Sequence, residues 1–370
     1  MCERRFLLKT VNQKKSSANL VLLSSIILVM DVGLLWAIIK FLCNLKVHSV
    51  LYAIIGVLLV VLSVGFIFCS INWVVEQYPD KYKNLIQPFL YIGIAVLLLT
   101  MMLLLPAIET LYYSFFNASS SKFVGFSNYL AIFSDSQLII ALRNSALWVL
   151  FAATSCVALG LVIATLADRC SYEKLVKTII FMPTAISYVA AGVIWKFVYF
   201  YQPGDQQIGL LNAIVVKFGG EPQAWTTMLP FWNNFFLMLI FVWMQTGYSM
   251  VLLSAAVKNI PSEIMEAARV DGAGEIRIFF DIIIPYIAKD IITVTTTIVV
   301  FCLKVFDIIQ VMTGGQYGTD VVATNFYRQI FMQQNAGYGN TIAIVLLIIV
   351  TPVIFINLKN FRKQQGGALL

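Results

Sequence analysis

Long stretches of this chain contain no Asp, Glu, Lys or Arg at all: between Lys46 and Glu76, Lys83 and Glu109, Arg143 and Asp168, Glu221 and Lys258, and Arg328 and Lys359. A helix needs about 20 apolar residues to cross the hydrocarbon core of a bilayer, and each stretch is long enough. Three further apolar runs hold a few scattered charges, Asp31 and Lys40 in the first, Lys196 with Lys177 at the start of another, and Lys304 with Asp307 in the last. Lipid offers backbone groups no hydrogen-bond partner, and the runs far exceed the alternating segments of a barrel, so the spans must be helices. The pattern predicts an all-α polytopic membrane protein with about eight transmembrane helices, at roughly 20–43, 50–74, 87–111, 144–167, 176–200, 231–257, 290–311 and 339–358. Composition agrees, because 60% of the 370 residues are hydrophobic and 12% charged, where a soluble domain carries about 25% charged residues.

The net charge of +7 could suggest nucleic acid, but the cations lie in short blocks between apolar runs, which is a topology signal. Arg4, Arg5, Lys9, Lys14 and Lys15, then Lys81 and Lys83, Arg169, Lys174 and Lys177, the block from Lys258 to Lys289, and finally Lys359, Arg362 and Lys363 all fall on one side if the N-terminus is cytoplasmic. The other side carries only Lys46, Lys122, Lys217 and Arg328. Both termini are therefore expected inside a bacterial inner membrane, with no nucleic acid as partner. The run from Leu20 to Cys43 is too long for a signal-peptide core and reads as an uncleaved first span. The six cysteines are scattered without a CxxC, and His48 is the only histidine. That leaves no metal site and no catalytic residues to assign.

One inside loop stands apart, Lys258–Lys289, reading KNIPSEIMEAARVDGAGEIRIFFDIIIPYIAK. Pro261 and Ser262 suit a helix start, Gly272 and Gly274 suit its stop, and a second helical piece follows over 275–284 before Pro285. Small residues would let another backbone approach, while Glu266 and Asp271 would offer carboxylates to a basic surface. From pattern alone the loop could equally rest on lipid headgroups. However, Glu266, Ala267 and Ala268, then Asp271, Gly272 and Ala273, with Phe279, Ile282 and Pro285, resemble the EAA loop of bacterial binding-protein-dependent ABC permeases at each of its spacings. Lys289 stands where that family often has a second proline.

The resemblance extends to VGFSNYLAIF (124–133), to the region around FMPTAIS (175–195) and to VMTGGQYGTD (311–320), which look like the sugar-permease branch that includes the maltose permease. Residues 207–225 and 304–316 look most like α-glucoside permeases. This implies a type I ABC importer permease with a six-helix core over 86–358, preceded by a cytoplasmic N-terminus and two added spans over 1–85 and followed by a cytoplasmic tail over 359–370. It also implies coupling to an ATPase through Glu266, Ala267, Ala268, Asp271, Gly272, Ala273 and Pro285. The expected partners are a second permease subunit, an ATPase dimer and an extracytoplasmic solute-binding protein. No G-x-x-x-x-G-K-[ST] occurs in the chain, so ATP and Mg would bind the partner ATPase and this subunit would carry no cofactor.

Ionisable groups at bilayer depth usually face a cavity or a partner. Thr297, Phe301 and Lys304 recur at helical spacing, with Asp307 a turn further on and able to pair with the lysine. Trp243, Thr246, Gly247 and Met250 share a stripe on the sixth span, beside Gln245. In the sugar-permease family these two spans contribute to the central sugar site, which makes all nine residues candidates for the solute pathway. Helix packing reinforced by polar side chains explains the same residues, and both readings stand. Lys196 beside Trp195 reads as snorkelling to the interface, and Asp31 as facing a neighbouring helix. The rival functions are the same machinery carrying another solute such as a glycerol phosphate ester, an ion-coupled secondary transporter, which should show more intramembrane carboxylates and an inverted repeat, or a non-transporting scaffold.

Overall fold

The computed structural model describes residues 50–366 apart from 77–79, 169, 205, 206 and 229, together with scattered positions between 26 and 40. The first expected span, 20–43, lies mostly outside the described residues. Every extended element among the described residues is a helix, and the only β feature there is an isolated bridge between Phe116 and Phe123. The chain divides into two compact units, Met1–Ala107 and Ile108–Leu370. That division falls inside the third span.

In the first unit, α1 (Val50–Glu76) runs beside the start of α2 (Gln87–Tyr113). Tyr91 donates to Asn72 at 3.1 Å. Asp31 is buried and accepts a 2.7 Å hydrogen bond from Ser70, so this intramembrane carboxylate has a helix neighbour. The apolar side chains of α2 lie open along its length, Met102 and Leu103 among them. Such a surface is stable in lipid and not in water.

The second unit is built around α6 (Pro230–Lys258). Its neighbours are α3 (Ser136–Ala167), α4 (Glu173–Phe181), α5 (Tyr188–Val198), α9 (Ala288–Leu303) and α10 (Asp307–Met312). Between α6 and α9 come two short helices, α7 (Ser262–Val270) and α8 (Glu275–Ile278). Further on lie α11 (Val322–Tyr327) and α12 (Ala336–Gly366). Trp148, Leu237, Phe241, Met250, Ile298 and Ile308 are fully buried at the centre. Association of helices in lipid depends on close packing more than on hydrophobic burial, which favours small residues at crossings. A Cβ on Gly160 of α3 would lie 2.6 Å from Ser249 of α6, so only glycine allows that approach.

Six described helices are long and apolar enough to cross a membrane, and a bent pair makes up to seven. They match six of the expected spans, but two expectations of continuity are corrected. The span expected at 176–200 is broken: α4 gives way to a tight turn at Met182–Ala185, Ile186 is extended, and α5 departs at 101°. Pro183 lacks the N–H that would continue the ladder and its ring crowds the preceding turn. Ser187 then caps α5 by accepting from the Ala190 N–H at 3.2 Å, as N-cap serines do. The span expected at 290–311 is interrupted as well, since α9 ends at Leu303, Phe306 lies at φ −137°, and α10 starts afresh at Asp307. An acidic residue in the first turn suits the positive end of the new helix.

Candidate coupling loop and solute cavity

The loop between α6 and α9 is a rigid corner. In α7, the backbone N–H of Ala273 bonds the Ala268 carbonyl at 2.9 Å and that of Gly272 bonds Arg269 at 3.0 Å. This pair of bonds is the Schellman termination, which needs a left-handed residue. Gly272 supplies it with φ +81°. Gly274 plays a different part from the one its sequence position suggested: it precedes α8 with φ −71° and ψ 160°, a conformation any residue adopts. Across the corner, Arg269 pairs with Glu275 at 3.0 Å.

One side of this corner is anchored and the other is presented. Ile260, Ile278, Ile283 and Ile287 are buried in the main core, and Met265, Ala268 and Ala273 pack partly against it. Val270, Ile276 and Phe280 project outward, Val270 with 86% of its surface exposed. Glu266, Ala267, Asp271, Gly272 and Pro285 are exposed too. Nothing in the described chain forms an ion pair with Glu266 or Asp271. A partner with donors and an apolar cleft would find both sets of groups available.

A second, polar cluster braces the same end of the bundle. Lys177 of α4 reaches Asp168, Glu173 and the Ser254 hydroxyl of α6, and Lys258 reaches Glu173. Ser254 also donates to Asp168 at 2.8 Å. Sequence reasoning counted Lys177 and Lys258 only as topological charges.

The two helix breaks meet at a cavity of about 200 Å³ lined by Tyr188, Phe241, Phe301, Lys304, Val305, Phe306, Asp307 and Ile308. Tyr188 is the first residue of α5, Lys304 to Phe306 form the interruption between α9 and α10, and Asp307 opens α10. The helices after the breaks lock together where Gly192 of α5 meets Val311 of α10, at a separation that leaves a Cβ 2.9 Å from the valine. Among the described residues Lys304 and Asp307 form no salt bridge with each other. Both instead open on the cavity.

Of the candidate pathway residues, the structure brings Phe301, Lys304 and Asp307 to this cavity and leaves the others elsewhere. Thr297 is half-buried and its hydroxyl bonds back to the Thr293 carbonyl at 3.0 Å. Thr246 is buried and bonds back to Val242 at 2.6 Å. Met250 is fully buried. Gly247 is a packing residue: a Cβ there would stand 2.5 Å from the Ile180 carbonyl oxygen. Trp243 keeps about a third of its surface exposed and packs its ring edge-on against Trp195 at 5.7 Å. Gln245 is buried behind the cavity and donates to the Tyr188 hydroxyl. Tyr188, Phe241 and Phe306 were not foreseen.

The VMTGGQYGTD segment forms a pinned loop. Arg328 grips Asp320 with two bonds of 3.0 Å each, and Asp320 also accepts from Thr324 and Asn325. Asn144 and Asn234 donate to the Gly318 carbonyl, at 2.8 and 2.9 Å. Gly315, at φ +77°, lies over the ion pair, so close that a Cβ would stand 2.6 Å from the Asp320 carboxylate.

With this geometry in place, comparison with known proteins decides the family. Residues 156–360 match the model of the binding-protein-dependent transport system inner membrane component. The chain belongs to that family. It is 48% identical, over 75% of its length and 99% of the relative's, to the osmoprotective compounds uptake permease protein GgtC of Synechocystis sp.. It is 43% identical, over 86% of its length and 99% of the relative's, to the alpha-glucoside transport system permease protein AglF of Rhizobium meliloti. The fold is similar to a chain of the bacterial alginate ABC transporter crystallised with an alginate pentasaccharide-bound periplasmic protein, at a TM-score of 0.64 and 22% identity, covering 75% of this chain and 95% of that one. This ABC importer permease is thus a multi-pass inner-membrane protein and a non-enzymatic transport subunit. Transport through a member of this family depends on a separate binding protein.

Proposed function

We propose that this permease carries a small carbohydrate, an α-glucoside or a related oligosaccharide, from its binding protein into the cytoplasm by alternating access. The cavity carries this reading. Phe301 and Phe306 supply aromatic faces of the kind that stack on the C–H sides of sugar rings, while Lys304 donates and Asp307 accepts without satisfying each other. A phosphate ester fits less well, because the carboxylate beside Lys304 opposes a second anion. Likeness over most of the chain to an α-glucoside permease supports the same class. The exposed face of the 258–289 loop would receive the ATPase, where ATP and Mg bind, and both termini would lie in the cytoplasm.

The decisive experiment measures uptake of radiolabelled maltose, sucrose and trehalose by the complete transporter, normalised to assembled complex, for Lys304→Met, Asp307→Asn and the double variant. Removing a charge-assisted hydrogen bond to solute, about 1.5–3 kcal/mol, should lower uptake at subsaturating sugar by about tenfold or more in each single variant, with complex abundance unchanged. The double variant should be no better. Recovery in the double variant would make the two residues a structural pair and overturn their role.

A further inference from the structure

We infer that Gln245 is a positioning residue that fixes the Tyr188 hydroxyl as a hydrogen-bond donor to the solute, an inference that rests on the cavity being the sugar site. Gln245 keeps only 6% of its surface exposed and does not line the cavity. Its Nε2 donates to the Tyr188 hydroxyl, and its Oε1 is buried with no partner. A leucine would fill the same volume without an orphaned oxygen, so the productive contact of this amide is the one with Tyr188.

The surrounding structure leaves that hydroxyl little choice. Tyr188 opens α5, and its ring lies parallel to that of Phe241, with 3° between planes and 6.2 Å between centres. The bend before it is tied to the residue preceding Gln245, since the Thr184 hydroxyl donates to the Met244 carbonyl at 2.9 Å. Two successive residues of α6 thus hold the break in place. With the ring fixed, only rotation about the C–O bond remains. The Gln245 N–H occupies one acceptor position on the oxygen, so the phenolic proton turns away from the amide.

The cavity gains something specific from this arrangement. Lys304 can only donate and an ionised Asp307 can only accept. Neither bonds Tyr188 in the described chain, so the phenolic proton is left for a ligand. A cavity presenting two donors and one acceptor beside the Phe301 and Phe306 rings suits neighbouring sugar hydroxyls, which accept from the donors and donate a hydrogen bond to the carboxylate.

The test uses the complete transporter with its binding protein and ATPase, and uptake of the same three glucosides per assembled complex. Tyr188→Phe and Gln245→Leu should each reduce uptake at subsaturating sugar about five- to tenfold, the scale of one hydrogen bond. The double variant should be no worse than either single change, because Gln245 acts through Tyr188. Gln245→Glu should fall as far as Tyr188→Phe, since a carboxylate accepts the phenolic proton and turns it away from the solute. Wild-type uptake by Gln245→Glu, effects that multiply in the double variant, or a Gln245→Leu complex that assembles poorly but transports normally per complex would each overturn the inference. If the wild-type complex takes up none of the glucosides, the sugar reading itself fails. Uptake by the wild type with the variants unaffected overturns the positioning role alone.

Discussion

Gly272 offers a clean separation between backbone geometry and packing in the coupling loop. Its φ of +81° lies in the left-handed region, and a Cβ built there meets nothing within 4 Å. Substitution therefore costs only backbone strain, about 1–2 kcal/mol for an ordinary side chain and toward about 3 kcal/mol for a β-branched one. The strain can be relieved by giving up the two terminating bonds from Ala273 and Gly272, each about 0.5–1.5 kcal/mol. Relief costs about what the strain does, so a large share of molecules should abandon the corner. The spans, anchored by Ile278, Ile283 and Ile287, should be untouched. The expected series is Gly272→Asn mild, Gly272→Ala intermediate and Gly272→Val severe. Each is assayed for uptake, membrane abundance and co-purification of the ATPase, and the severe variant should be abundant yet unable to transport. Gly274→Ala is the control and should be silent, because Gly274 has an ordinary φ and open space. Full transport by Gly272→Val, or equal damage from Gly274→Ala, would refute the reasoning.

Gly247→Leu should lower the amount of assembled complex before it alters selectivity, because Ile180 and Phe181 occupy the space a side chain needs; quantitative blotting beside uptake distinguishes the two. Arg328→Met leaves the Asp320 carboxylate buried and without its cation. The loss should be about 3–5 kcal/mol, read as a lower melting temperature of the purified complex, and Asp320→Asn in the same chain should recover part of it. Cysteines placed at Ser119 and Gly220 should react with an impermeant maleimide from outside, while one at Glu275 should not, as the distribution of Lys and Arg requires.

The spans were legible because charge-free windows and bilayer thickness act at the same length scale. The helical corner of the 258–289 loop was legible for a different reason, since Ser262 and Gly272 are local signals read at single residues. What the sequence hid were the two breaks, because averaged hydropathy does not register an interruption of a few apolar residues. Pro183, with Ser187 four residues later, was the available sign of the first. The second has no comparable sign, since Val305 and Phe306 read as ordinary span residues. At Gly247 the structure shows close packing against Ile180 and Phe181, and a glycine inside a helix, which costs about 1 kcal/mol, usually answers to such packing. The Gln245–Tyr188 bond joins residues 57 positions apart, and only the bend at Pro183 brings them together.

The placement of the breaks also bears on how loop and cavity communicate. The coupling loop is flanked by α6, which carries Phe241 and Gln245 and ends at Lys258, and by α9, which starts at Ala288 and ends beside Lys304. Over its 16 residues α9 spans about 24 Å at 1.5 Å per residue, and the relevant half of α6 is of similar length. Both continuous helices therefore run from the loop to the cavity wall, whereas the interrupted segments form the rest of that wall. Were the ATPase to displace the anchored isoleucines, the movement would pass along these helices to Phe241 and Lys304, and the tight turn before Tyr188 and the interruption before Asp307 would absorb it by backbone rotation. Hinges in proteins are commonly a few residues at element ends. On this reading, docking of the ATPase needs no separate signalling route: the helices that flank the loop are the helices that shape the solute's surroundings.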